Sequence, residues 1–192
     1  AWREHGAMST GSHMFLPINS SVAVRDLIQG AVIVSANDAC VVLAEGIAGS
    51  EEAFVARMNR RAHELGLTTA RFRNVTGVDD PEQRISSADL ARLARYLIVN
   101  YPAFYRVYGR REFTFNNRTQ SNRNPLLGAY PGADGMKTGH TDESGYGLIG
   151  SALMNDERRI IVFNGLPTMA ARNAEAQRLM RRAFNDFALT TL

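Results

Sequence analysis

At 192 residues, 45% hydrophobic and 21% charged, the chain is long enough to bury a sizeable core and too apolar for a disordered segment. Its formal net charge of +3 rests on 22 basic residues, of which only Lys137 is a lysine. The arginines are scattered along helical stretches beside Glu and Asp, without the aromatic interleaving of single-strand binders, so no nucleic-acid partner is expected. Cys40 is the sole cysteine, which excludes an internal disulfide, and His5, His13, His63 and His140 lack ligand spacing, so no metal or other cofactor is expected.

Residues 1 to 21 are rich in Gly, Ser, Thr and Met and read as a loop. No charged-then-apolar leader opens the chain, and Ala1-Trp2-Arg3 begins abruptly, so either a leader was removed or the chain starts inside a larger protein. No apolar run is long enough to span a bilayer. Val24, Leu27, Ile28 and Ala31 make a short helical stripe over 23–33. Ser35-Ala36-Asn37-Asp38 breaks it before an apolar helix from Ala39 to about Ala48, where Cys40 is expected as a buried structural thiol.

Ser50 caps the next helix, whose stripe of Phe54, Met58, Ala62 and Leu65 ends at Gly66. Ser86 and Asp89 form a capping box before the stripe Leu90, Leu93, Leu97 and Ile98, closed by Pro102. From Glu112 the texture changes to strands: Phe113 and Phe115 alternate with polar residues, and the stretch Asn116 to Asn124 reads as a turn or loop. Tyr146 to Met154 and Arg158 to Asn164 are strands of a hairpin turned by Asn155-Asp156-Glu157. A final helix over about 168–187 carries Ala176, Leu179, Met180, Ala183, Phe184 and Phe187. Helices, then strands, then a helix predict an α/β or α+β layered fold, and no linker divides the chain into more than one domain.

The strongest chemical signal is Asp134-Gly-Met-Lys-Thr-Gly-His-Thr141. Lys-Thr-Gly alone is common, but here it precedes a hairpin, so it falls on or beside a sheet edge. It also holds the only lysine of an arginine-rich chain, at a place suited to a compact ammonium rather than a planar fork. A second signal, Ser35-Ala36-Asn37, lies 102 residues earlier (137 − 35). Ser35 has a plainer alternative as an N-cap, with Asp38 completing a capping box.

Ser-x-Asn followed about a hundred residues later by Lys-Thr-Gly resembles the penicillin-recognising serine acyl-transferases. Ser35-Ala-Asn-Asp-Ala-Cys40, Asn122-Arg-Asn-Pro-Leu-Leu127 and Asp134 to Thr141 are similar to the low-molecular-mass D-alanyl-D-alanine carboxypeptidases, with a likeness running from Ala1 to near Phe187. In that light Gly11-Ser-His-Met-Phe15 reads as native sequence rather than an expression scar. The resemblance implies a β-lactamase/transpeptidase-like fold, an antiparallel sheet flanked by helices with a helical subdomain. It also implies extracytoplasmic trimming of terminal D-alanine from peptidoglycan pentapeptides through an acyl-enzyme, and binding of β-lactams.

It further implies roles. Ser35 relays a proton toward the leaving D-alanine; Asn37 bonds the acyl-side amide and helps orient the nucleophile's lysine. Lys137 supplies positive potential and Thr138 donates to the substrate carboxylate; Arg123 makes either a further contact there or a surface salt bridge. The strand through Gly139 and His140 pairs with the peptide, and the His140 N–H joins the oxyanion hole.

The family's Ser-x-x-Lys nucleophile motif is absent from the chain, because Asp stands three positions before Lys137. It is expected upstream of Ala1, which makes this an N-terminally incomplete catalytic domain unable to acylate alone. The resemblance also implies that relatives often continue, past the point where this chain stops, into a β-rich second domain and an amphipathic anchor at the membrane surface; the sequence leaves both open here. Two rivals stand beside this reading. A class A β-lactamase needs a Glu-bearing loop well before Lys-Thr-Gly, and the only Glu-x-x-x-Asn, Glu112 to Asn116, lies 25 residues before Lys137 (137 − 112). A non-catalytic peptidoglycan-binding remnant is the other.

Overall fold

A computed structural model describes residues 11–187, so the expectations for residues 1–10, His5 included, lie outside the described residues. The chain divides into two compact units, one formed by residues up to Ile85 with Arg110–Asn122, the other by Ser86–Gly109 with the remainder from Arg123.

In the first unit, α1 (Val24–Gln29) runs into a π-helical turn, Gly30–Val34, and then α2 (Asn37–Ala48) and α3 (Glu51–Glu64). The Ser50 hydroxyl accepts the Ala53 N–H at 3.2 Å and so caps α3 as expected. Helix α2 starts two residues earlier than the apolar pattern indicates, because Asn37 and Asp38 are both buried in its first turn. Cys40 is half-buried, not sealed in the core. The unit also holds a hairpin of β1 (Glu112–Phe115) and β2 (Arg118–Ser121). The expected loop over 116–124 is therefore partly strand. Asn116 and Asn117 both take positive φ, the two-residue hairpin turn that asparagine tolerates. Glu112 thus begins a β-strand and is not on a loop.

In the second unit, α4 (Ser87–Asn100) is capped by the Ser86 hydroxyl, which accepts the Asp89 N–H at 3.2 Å. Pro102 then opens the short α5 (Pro102–Tyr105), followed by a 3-10 turn, Arg106–Gly109. Strands β3 (Ala133–Thr141), β4 (Gly145–Met154) and β5 (Glu157–Leu166) form an antiparallel sheet in that order. Asn155 and Asp156, both at positive φ, turn β4 into β5. Helix α6 (Met169–Asn185) closes the unit, with the Thr168 hydroxyl accepting the Ala171 N–H.

The two-residue period of β4 sorts the sheet's faces. Leu148, Ala152 and Ile161 pack with Leu126 and with Ala176 and Met180 of α6. Ile149 and Ile160 pack on the other side with Ala94 of α4 and with Tyr105 and Met136. Helices on two faces of an antiparallel sheet make the α/β layering that the element order predicts. Among the described residues no helix is long and apolar enough to cross a membrane.

Candidate active site

The Ser35-Ala36-Asn37 element sits at the join of the π-helical turn and α2. The π turn leaves the N–H groups of Ser35 and Ala36 both directed at the Gly30 carbonyl. Ser35 emerges with φ 63° and ψ 38°, a left-handed conformation that serine adopts only when its surroundings impose it. The N-cap of α2 is Ala36, without a side-chain bond, so the capping-box alternative for Ser35 fails. Asp38 has other work. Its carboxylate accepts the N–H groups of Met14 and Leu16, each at 3.1 Å, and of Ala39 at 3.0 Å, from a position only 2% exposed.

That carboxylate ties the segment from Gly11 to Leu16 against the start of α2. The Asn37 N–H donates to the Ser12 carbonyl at 2.8 Å. The Asn37 amide itself lies over Gly11: a β-carbon at Gly11, whose φ is +87°, would come within 2.7 Å of Nδ2. The Gly-Ser-His-Met stretch is thus built into the unit, with Met14 and Leu16 in its core. The Ser35 hydroxyl and the Asn37 amide are consequently held on one short, strained turn braced from behind.

In the second unit, Lys137, Thr138, Gly139 and His140 lie consecutively on β3, which among the described residues pairs only with β4. Lys137 stands opposite Ile149, Thr138 opposite Leu148, Gly139 opposite Gly147 and His140 opposite Tyr146. Lys137 and Gly139 therefore share one face, Thr138 and His140 the other. The Lys137 ammonium is half-buried and donates to the Thr138 carbonyl at 2.8 Å. Gly139 is exposed, has no positive φ, and a β-carbon there would meet nothing within 4 Å. Neither packing nor backbone strain in the described structure calls for glycine here.

His140 packs on Tyr146, ring centroids 3.8 Å apart, and the Arg172 guanidinium lies 5.9 Å from the Tyr146 centroid. Arg172 is 4% exposed and donates from Nη2 to the Arg123 carbonyl at 3.3 Å. Burial lowers the Arg172 pKa; the Arg123 charge pushes the same way, and Tyr146 opposes it. Arg123 is in this way linked through Arg172 and Tyr146 to the His140 end of β3. A buried guanidinium beside a second positive charge is a place an incoming carboxylate stabilises. Sequence reasoning overlooks Arg172, yet a signal exists: it precedes Ala176 and Met180 at four-residue steps on the buried stripe of α6, where an arginine is out of place.

Comparisons with known proteins bear on the family and the fold. The family model described as D-alanyl-D-alanine carboxypeptidase matches residues 1–168. D-alanyl-D-alanine carboxypeptidase DacA of Haemophilus influenzae is 42% identical over 178 residues, 92% of this chain and 45% of that protein. D-alanyl-D-alanine carboxypeptidase DacD of Escherichia coli is 42% identical over 189 residues, 97% of this chain and 49% of its own length. The crystal structure of penicillin binding protein 5 from Haemophilus influenzae superposes with a TM-score of 0.88 at 41% identity, covering 91% of this chain and 51% of that one. The expected transpeptidase-like fold is thereby shown. The chain spans about half the length of the curated relatives it matches. With a family model covering most of its residues and relatives 42% identical over nearly its whole length, the chain belongs to the D-alanyl-D-alanine carboxypeptidase family.

Proposed function

We propose that the full-length protein containing this chain is a serine-type D-alanyl-D-alanine carboxypeptidase, acting on peptidoglycan stem peptides outside the cytoplasmic membrane and acylated by β-lactams. The observation that carries the reading is the open β3 edge with Lys137-Thr138-Gly139 on it, in a chain of this family. An extended peptide ending in D-Ala-D-Ala adds to that edge as a further strand, with Gly139 leaving room for its backbone.

The nucleophile is the serine of a Ser-x-x-Lys motif outside residues 1–192, since no serine here has lysine three positions on. It attacks the penultimate carbonyl, D-alanine leaves, and water resolves the ester. Ser35 passes a proton toward the departing amine, and Asn37 bonds the acyl-side amide and helps orient the nucleophile's lysine. Lys137 supplies positive potential, Thr138 and Arg123 bind the terminal carboxylate, and the His140 N–H donates to the oxyanion, a contact worth about 3 kcal/mol in the transition state. The names of the relatives favour this over a β-lactamase.

Incubating the full-length protein with a fluorescent penicillin and with an acylated Lys-D-Ala-D-Ala tripeptide tests the reading. A covalent penicilloyl adduct and release of one D-alanine are expected. Rapid penicillin hydrolysis without D-alanine release points to a β-lactamase, and peptide binding with neither reaction to a non-catalytic remnant; either overturns the proposal.

A further inference from the structure

The beginning of β3 contains an irregularity that four side chains surround. Ala133 pairs with Ala152 and Gly135 with Ser151, so Asp134 has no opposite number on β4 and is the extra residue of a bulge. Its carboxylate is held by the Arg158 fork from β5, Nη1 to Oδ1 at 2.9 Å and Nη2 to Oδ2 at 2.8 Å. Arg158 Nη1 also donates to the Ser151 hydroxyl on the intervening strand at 2.6 Å. The Tyr105 hydroxyl donates to Asp134 Oδ1 at 3.0 Å. Tyr105 also lies over the next residue, so that a β-carbon at Gly135 would come within 2.5 Å of its oxygen.

Backbone pairing on its own does not choose where along a strand an extra residue falls. Sliding it along the strand leaves the ladder almost as well bonded but turns every residue it passes to the opposite face. Asp134 stands three residues before Lys137, and its fork reaches across the sheet from β5, which no local preference of β3 supplies. A bidentate arginine–carboxylate pair has a fixed geometry, and the phenol and hydroxyl bonds restrict it further.

We propose that Asp134, held by Arg158, Tyr105 and Ser151, is a register lock for β3 and a set of positioning residues for the reaction. It fixes the extra residue at 134 and so decides which faces Lys137 and Thr138 occupy and where the His140 N–H points. The inference rests on the carboxypeptidase reading above for its effect on rate, though not for its effect on the strand.

The test compares Asp134→Asn and Arg158→Lys in the full-length protein with a control, Ala176→Gly in the α6 core of the same unit, all at temperatures giving equal folded fractions. Two quantities are read: the second-order rate of acylation by a fluorescent penicillin, and amide hydrogen exchange at residues 137–141 relative to α6. Both lock variants should acylate on the order of 10- to 100-fold more slowly than the control, the scale of an ångström-sized misplacement. Exchange should quicken on β3 but not on α6. Lock variants that acylate at the control's rate, with β3 as protected as in the unaltered protein, overturn the proposal. If the unaltered protein takes no penicillin, the enzymatic reading falls, and the exchange measurement alone judges the lock.

Discussion

Arg172 and Arg123 come together in an unusual way, the buried guanidinium of one donating at 3.3 Å to the backbone carbonyl of the other. Like charges are thereby gathered near the His140 end of β3, with Tyr146 between Arg172 and the strand. If the terminal carboxylate of a stem peptide binds there, Arg172→Met should raise KM for the tripeptide by about 10-fold or more, the loss of one charge-assisted hydrogen bond. The kcat should change less. Steady-state kinetics on the full-length protein separate the two, and an unchanged KM removes Arg172 from carboxylate binding.

Gly139→Ala makes a sharper distinction between folding and function. The added methyl enters open space, so the melting temperature should stay within about 2 °C of the original, and alanine for glycine in a strand removes backbone entropy from the unfolded chain. Acylation should nevertheless slow by at least about 10-fold, because the incoming backbone meets the new β-carbon. Equal acylation rates in the two proteins mean that no chain approaches this edge closely.

Asp38 offers a stability prediction free of any functional assumption. Replacing it with alanine strips the Met14 and Leu16 N–H groups of their acceptor in a buried setting, at a cost of about 2–4 kcal/mol. Urea unfolding should show this as a lower midpoint. Since Asn37 bonds the same segment through Ser12, limited proteolysis should also cut first within residues 11–16.

Tyr105 governs the alkaline limb of stability. Burial, reinforced by the Asp134 carboxylate and opposed by a hydrogen bond with Ser151, raises its phenol pKa far above the usual value. Burial raises Tyr108 as well. A raised pKa in the folded state means that the neutral phenols' contribution is complete below about pH 10, where unfolded tyrosine ionises. It is lost progressively above that. Unfolding free energy should therefore fall as pH rises past about 10. The double variant Tyr105→Phe, Tyr108→Phe should flatten that slope, and an unchanged slope refutes the assignment.

Much of the secondary structure is legible residue by residue. Ser50 and Ser86 announce helices because a hydroxyl finds its N–H three residues on, and Asn155-Asp156 announces a hairpin because both residues tolerate positive φ. The same chemistry in Asn116-Asn117 was open to the wrong reading: an asparagine-rich run suggests loop, whereas only its first two residues turn and Arg118–Ser121 returns as β2. Ser35 misleads differently. Its spacing to Asp38 is that of a capping box, but Met14 and Leu16 claim the carboxylate, and the π turn carries Ser35 into a left-handed conformation.

By itself the sequence determined the layered α/β fold, most helix and strand boundaries, and a family signature in Ser35-Ala36-Asn37 and Lys137-Thr138-Gly139. These are written in short-range periods, caps and turns, or in motifs a few residues long. Only the tertiary structure decided that Lys137 lies on an edge strand, that Asp134 is the bulge residue gripped from β5, and that Arg172 is buried beside Arg123. Each of those depends on residues remote along the chain, 12 positions for Lys137 and Ile149, 24 for Asp134 and Arg158 and 49 for Arg123 and Arg172, and burial or strand register is a property of the pair rather than of either residue.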